Sequence, residues 1–166
     1  MKNLNAPQLL DTLAKSLTTH MSESDITNPL FIGIRTGGVW VAKQLMSLLD
    51  IHDELGILDI TFYRDDFSRV GIQPTVKPSQ LPNDVNNRHI ILVDDVLHTG
   101  RTVRAALNEI FDYGRPASVS LAILVQRNGR ELPIQADALG TSVDLDATQH
   151  VKLSGPEPLT LEIVTP

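Results

Sequence analysis

A four-residue apolar run, Ile90-Ile91-Leu92-Val93, stops abruptly at two adjacent carboxylates, Asp94 and Asp95. Val96, Leu97 and His98 then separate that pair from Thr99-Gly100-Arg101-Thr102. From there Val103, Ala106, Leu107, Ile110 and Phe111 recur at helical spacing, up to the breakers Gly114 and Pro116. A run apolar at every position suits a strand covered on both faces, the usual state of a parallel strand. Strand, short polar loop and helix in that order make one βα unit, with the polar loop where such units hold ligands.

The rest of the chain repeats this grammar. Leu9, Leu10, Leu13, Leu17 and Met21 follow Asn5 and Pro7, so residues 6–22 read as an amphipathic helix with an N-cap and a first-turn proline. Leu30-Phe31-Ile32-Gly33-Ile34 is a second buried strand, ending in Arg35-Thr36-Gly37-Gly38. Val39, Ala42, Leu45, Met46 and Leu49 then give the helix after it. Residues 56–63 and 119–125 read as further strands, and 159–164 as a short strand at an edge or in a small accessory layer. Residues 64–88 are polar and hold Pro74, Pro78 and Pro82, which suits a functional lid or β-arm. The class is α/β, with a mostly parallel sheet flanked by helices and two polar loops facing one crevice.

Composition narrows the function. The 166 residues suit one domain, 1–166. Fourteen Lys and Arg against 20 Asp and Glu leave a formal charge of -6, which argues against broad nucleic-acid binding. With no cysteine there is no disulfide, thiolate metal site or Cys nucleophile, and a cytoplasmic protein is expected. No apolar run reaches the ~18 residues of a membrane helix.

The loop after Val93 carries the chemistry. A helix N-terminus presents unpaired N–H groups and partial positive charge, Gly100 admits close backbone approach, and Thr99 and Thr102 add hydroxyls, a cradle for a phosphate monoester. Asp94 and Asp95 are acceptors for a pair of vicinal hydroxyls and can help retain a magnesium ion. A 5-phosphorylated ribose makes both demands. Singly, each feature also fits a structural role, in turn amides or helix capping; together they favour the ligand. Neither GxxxxGK[ST] nor GxGxxG occurs. His98 reads as an exposed loop histidine, His20, His52, His89 and His150 lack metal-ligand spacing, and Trp40 between Val39 and Val41 reads as packing.

The stretch from His89 to Thr102 resembles the phosphoribosyl pyrophosphate (PRPP) motif of type I phosphoribosyltransferases. Asp59-Ile60-Thr61-Phe62-Tyr63-Arg64-Asp65-Asp66, Tyr113-Gly114-Arg115-Pro116 and the segment from Arg130 to Asp137 are similar to the PyrR family, regulators of pyrimidine operons that are also uracil phosphoribosyltransferases. The resemblance implies the type I phosphoribosyltransferase fold, with a flexible β-arm at about 64–88 and a small hood contributed by the C-terminal part. It implies transfer from PRPP to uracil, giving UMP and pyrophosphate with Mg2+.

By the same resemblance, Asp94 and Asp95 hold the ribose hydroxyls and touch metal only through PRPP-bound magnesium. His98, Thr99, Gly100, Arg101 and Thr102 bind the 5-phosphate, and Arg35, Thr36, Gly37 and Gly38 the pyrophosphate. Tyr63, Arg64, Asp65 and Arg69 lie in the arm, and Val125, Gln126 and Arg127 flank the base. Asp94, Asp95, Arg64 and Arg35 are the expected catalytic set. A homo-oligomer, dimer or higher, is also implied.

RNA is the partner that the charges disfavour. Residues 1–27 hold Lys2 and Lys15 against Asp11, Glu23 and Asp25, two positive charges against three negative. Arg115, Arg127, Arg130 and Lys152 are the residues from which a basic patch could be built, while residues 131–166 carry six carboxylates against Lys152. The expectation is PRPP chemistry with weak or absent attenuator-RNA binding.

Overall fold

Strands that are apolar at every position need cover on two sides, and the fold supplies it. The computed structural model describes residues 2–60, 79–82 and 84–166. Five parallel strands form the main sheet: β2 (Leu30–Ile34), β3 (Gly56–Leu58), β4 (His89–Leu97), β5 (Ser118–Arg127) and β6 (Ala138–Val143), in the order β3-β2-β4-β5-β6. Their side chains alternate between two cores. Phe31, Ile91, Val93, Ala122, Leu124 and Val125 face helices α1 (Ala6–Glu23) and α2 (Gly37–Leu48). Leu30, Ile32, Ile34, Ile90, Leu92 and Ile123 face helix α3 (Arg101–Tyr113).

Local signals place the helices. The Asn5 side chain accepts from Gln8 N at 3.0 Å, and Pro7 sits in the first turn of α1. α2 follows β2 onto one face and α3 follows β4 onto the other. Adjacent strands β2 and β4 therefore part their helices, which opens a crevice at their carboxyl ends.

The strand expected over 159–164 is present in an accessory layer, with two partners, β1 (Lys2–Leu4) and β7 (His150–Ser154), that lie outside the sequence-based expectation. With β8 (Thr160–Val164) they make a small antiparallel sheet in the order β1-β8-β7, so the N-terminal segment joins the C-terminal part in this layer. β6 was also missed. Its sequence, Ala-Leu-Gly-Thr-Ser-Val, is an edge strand with one buried residue, and so lacks an apolar signature.

Of the strand expected over 56–63, the described part pairs with β2 from Gly56 to Leu58, and Arg35 N donates to Leu58 O at 2.8 Å; residues 61–63 lie outside the described residues. The arm expected over 64–88 is corrected at its far end, where the chain is anchored from Ser79 onward. Gln80 exchanges both backbone bonds with Ile57, at 2.7 and 2.8 Å, and Val85 is buried in the α3-side core. Residues 64–78 lie outside the described residues. None of the helices among the described residues is long and apolar enough to cross a membrane.

Candidate active site

Two helix N-termini and two carboxylates meet at the crevice. α1, remote from it, carries a side-chain cap; α2 begins at Thr36 and α3 at Gly100 without one. Uncapped first turns leave N–H donors and the positive ends of both dipoles turned toward the strand ends.

Asp94 is 4% exposed, and its Oδ1 accepts from Asp95 N at 2.9 Å. Asp95 Oδ1 in turn accepts from Val96 N at 2.9 Å. The carboxylates are fixed by the backbone that follows them. Both face the start of α2: a Cβ on Gly37 would lie 2.6 Å from Asp95 Cγ, and one on Gly38 would lie 3.1 Å from Asp94 Oδ1. Gly37 and Gly38 thus permit the close approach that brings the two expected loops together.

Arg35 stands at the rim, joined to Thr36 by a cis peptide. Its Nη1 pairs with Asp59 Oδ2 at 3.4 Å, with side-chain exposures of 19% and 5%. Asp59 N donates to Ser79 Oγ at 3.0 Å, and the Ser79 hydroxyl donates to Glu109 Oε1 on α3. Reading the sequence for motifs overlooked Asp59 as the partner of Arg35, although it opens the Asp59-to-Asp66 stretch.

The α3 loop is equally well supported. Gly100 has φ +96°, a conformation that favours glycine. Arg101 N donates to Thr99 Oγ1 at 3.1 Å, and Thr99 O accepts from Glu131 N and Leu132 N at 3.0 and 3.1 Å. Arg101 forms an ion pair with Glu131 at 3.4 Å, so part of its charge is countered. Thr102 lies in the first turn of α3, and His98 is exposed.

Beside this loop a cavity opens over the ends of β4, β5 and β6, lined by His98, Gln126, Arg127, Asn128, Ser142 and Asp144 among others. Two expectations are corrected here. Val125 is fully buried, packs with the α1–α2 core and is not among the residues that line the cavity. Arg127 is 8% exposed, and its guanidinium donates to Gln149 O at 2.7 Å, Asn128 O at 3.3 Å and Asp146 O at 3.4 Å. It is therefore no part of a solvated basic patch, and Lys152 sits opposite Glu162 in the β7–β8 ladder. Asn128, Ser142 and Asp144 were not anticipated; the Asn128-Gly129 turn signal was the available clue. Tyr63, Arg64, Asp65 and Arg69 lie outside the described residues. Trp40 packs, half-buried, against the Gly155–Leu159 turn, consistent with a packing role.

Comparison with known proteins agrees with this architecture. Residues 1–154 match the phosphoribosyl transferase domain family. The chain is similar to the "Bifunctional protein PyrR" of Nitrosococcus oceani, 60% identical over 97% of this chain and 92% of that one. The protein of the same name from Pseudomonas syringae pv. tomato is 53% identical over 96% and 94%. Among solved structures, a hypoxanthine phosphoribosyl transferase of Trypanosoma cruzi superposes with a TM-score of 0.68 at 19% identity, over 89% of this chain and 80% of that one. A hypoxanthine-guanine phosphoribosyltransferase of Bacillus anthracis gives 0.68 at 16%, over 86% and 84%. These structural likenesses show the fold, and the sequence relatives show the family: the chain belongs to the PyrR family of the type I phosphoribosyltransferase superfamily.

Proposed function

We propose that the protein transfers the phosphoribosyl group of PRPP to uracil, forming UMP and pyrophosphate. The observation that carries this reading is the convergence of the uncapped α2 and α3 N-termini on Asp94 and Asp95. Such a site offers anion cradles on two sides of a pair of hydroxyl acceptors. The PyrR name of the relatives supports uracil as the base.

In this reading the residues divide the substrate between them. The α3 loop, His98 to Thr102, takes the 5-phosphate on backbone N–H groups. Asp94 and Asp95 accept from the ribose hydroxyls and lie beneath the sugar as it becomes electron-poor. Arg35, Thr36, Gly37 and Gly38 receive the pyrophosphate, whose charge grows as its bond to C1 breaks. The new bond joins C1 to uracil N1, which gives up its proton. Gln126 and the backbone after it border the base, Arg127 acts through the backbone that it holds, and Arg64 with Tyr63, Asp65 and Arg69 covers the pyrophosphate side. A magnesium ion carried by PRPP would be retained beside the carboxylate pair, which would act on it through the substrate, and it would supply neutralisation of the leaving group's charge. Attenuator-RNA binding remains weak in this reading, with Arg127 buried and Lys152 facing Glu162.

The test is product analysis with PRPP, Mg2+ and each of uracil, hypoxanthine, guanine, adenine and orotate. UMP from uracil alone is expected, with a loss of about 100-fold or more in kcat/KM when Asp94 and Asp95 are both changed to Asn. Nucleotide from another base, or undiminished turnover in the double variant, would overturn the reading.

A further inference from the structure

The cavity beside the α3 loop has one wall that no strand supplies. Between β6 and β7 the chain turns through Asp144–Gln149, and this turn is tied to the end of β5 by side chains alone. The Asn128 amide pairs with both polar groups of the Leu145 backbone: Nδ2 donates to Leu145 O at 3.0 Å, and Leu145 N donates to Oδ1 at 2.8 Å. Leu145 is itself buried, so its N–H and C=O depend on this substitute for a ladder rung. Behind it, Arg127 grips the other end of the turn through Gln149 O and Asp146 O. The turn is also closed on itself, with Gln149 N donating to Asp146 O at 3.0 Å and Asp146 N to Gln149 Oε1 at 2.9 Å. It can shift only as a unit, and Asn128 and Arg127 fix where that unit sits.

We infer that Asn128, backed by Arg127, is a positioning residue that sets the width of the base pocket by holding the Asp144–Gln149 turn. The inference rests on the reading of this cavity as the base site. Ser142 and Val143 line the cavity from β6, held there by the β5 ladder, whereas Asp144 lines it from the start of the turn, so the turn's placement fixes how far Asp144 stands from His98 and Gln126. The phosphate loop has separate supports, in Glu131, Leu132 and Thr99. A disturbance at Asn128 therefore separates base recognition from PRPP recognition, which general loosening of the fold does not do.

Steady-state kinetics with uracil and PRPP varied independently provide the test. Asn128→Ala removes both bonds to Leu145 and is expected to raise the uracil KM about tenfold, as about 1.4 kcal/mol for two lost bonds implies. The PRPP KM should stay within about twofold, since the phosphate loop keeps its own backbone bonds from Glu131 and Leu132 to Thr99 O when Asn128 is changed. Asn128→Asp keeps the acceptor for Leu145 N and should recover part of the loss. Should Asn128→Ala fail to fold, Asn128→Asp decides by the same split between the two KM values. Equal increases in both, or no change in either, would overturn the inference. Ser142→Phe separates the two readings by crowding the cavity directly. If it leaves the uracil KM unchanged, the base-site reading fails and the inference with it. If it raises the uracil KM while the Asn128 variants do not, only the positioning role fails.

Discussion

Gly37 shows how much one missing methyl group determines. Its Cα lies so near the Asp95 carboxylate that alanine would place a carbon 2.6 Å from Cγ, and Asp95 cannot retreat without losing its bond to Val96 N. Gly37→Ala should therefore displace the acidic pair from α2 while leaving both hydrophobic cores intact. The expected outcome is a fall of about 100-fold in kcat/KM for PRPP, in keeping with the cost of misplacing catalytic groups by about 1 Å. The thermal midpoint should move little, and kinetics beside a melting curve checks both. Gly100 combines two constraints, a φ of +96° and the Ile134 side chain 3.1 Å from a would-be Cβ. The acidic pair and Thr-Gly-Arg-Thr were legible in the sequence because their chemistry is local. Asp59 and Asn128 were not, because their meaning depends on Arg35 and Leu145, which are brought to them only by folding.

At the scale of elements, the three helices differ in how they begin. α1 ends its solvent-exposed N-terminus with a side-chain cap, and Asn5→Ala should cost about 1 kcal/mol of stability with kcat/KM unaltered, read by chemical denaturation and by assay. The starts of α2 and α3 have no such cap and lie at the crevice. Elements with two buried faces or a strong helical stripe were readable: α1, β2, α2, β4, α3 and β5 lie where apolar spacing put them. The elements that escaped notice, β1, β6 and β7, are short and at most half-covered. Their positions depend on cross-strand partners such as Leu161 for Leu4, Ile123 for Leu139 and Ile163 for Val151. Periodicity reports burial, and a strand that is barely buried leaves little of it.

For the whole molecule, charge and connectivity matter most. A formal charge of -6 repels a polyanion unless cations gather on one face. Here Arg101 pairs with Glu131, Arg127 is enclosed and Lys152 faces Glu162. Binding to a pyrimidine-operon leader RNA should accordingly be no tighter than to an unrelated RNA of equal length, as filter binding at two salt concentrations would reveal. A sequence-specific submicromolar complex with a steep salt dependence would contradict this. The small sheet has a different consequence. Because Lys2 pairs with Ile163, the first and last strands lie side by side and the backbone path is nearly a ring. A few linking residues would close it, and fresh ends could be opened at exposed Asp53, at the edge of the main sheet opposite the crevice, with every described ladder preserved. The order in which this chain is read from end to end is thus one of several linear orders that the same three-dimensional arrangement can accept.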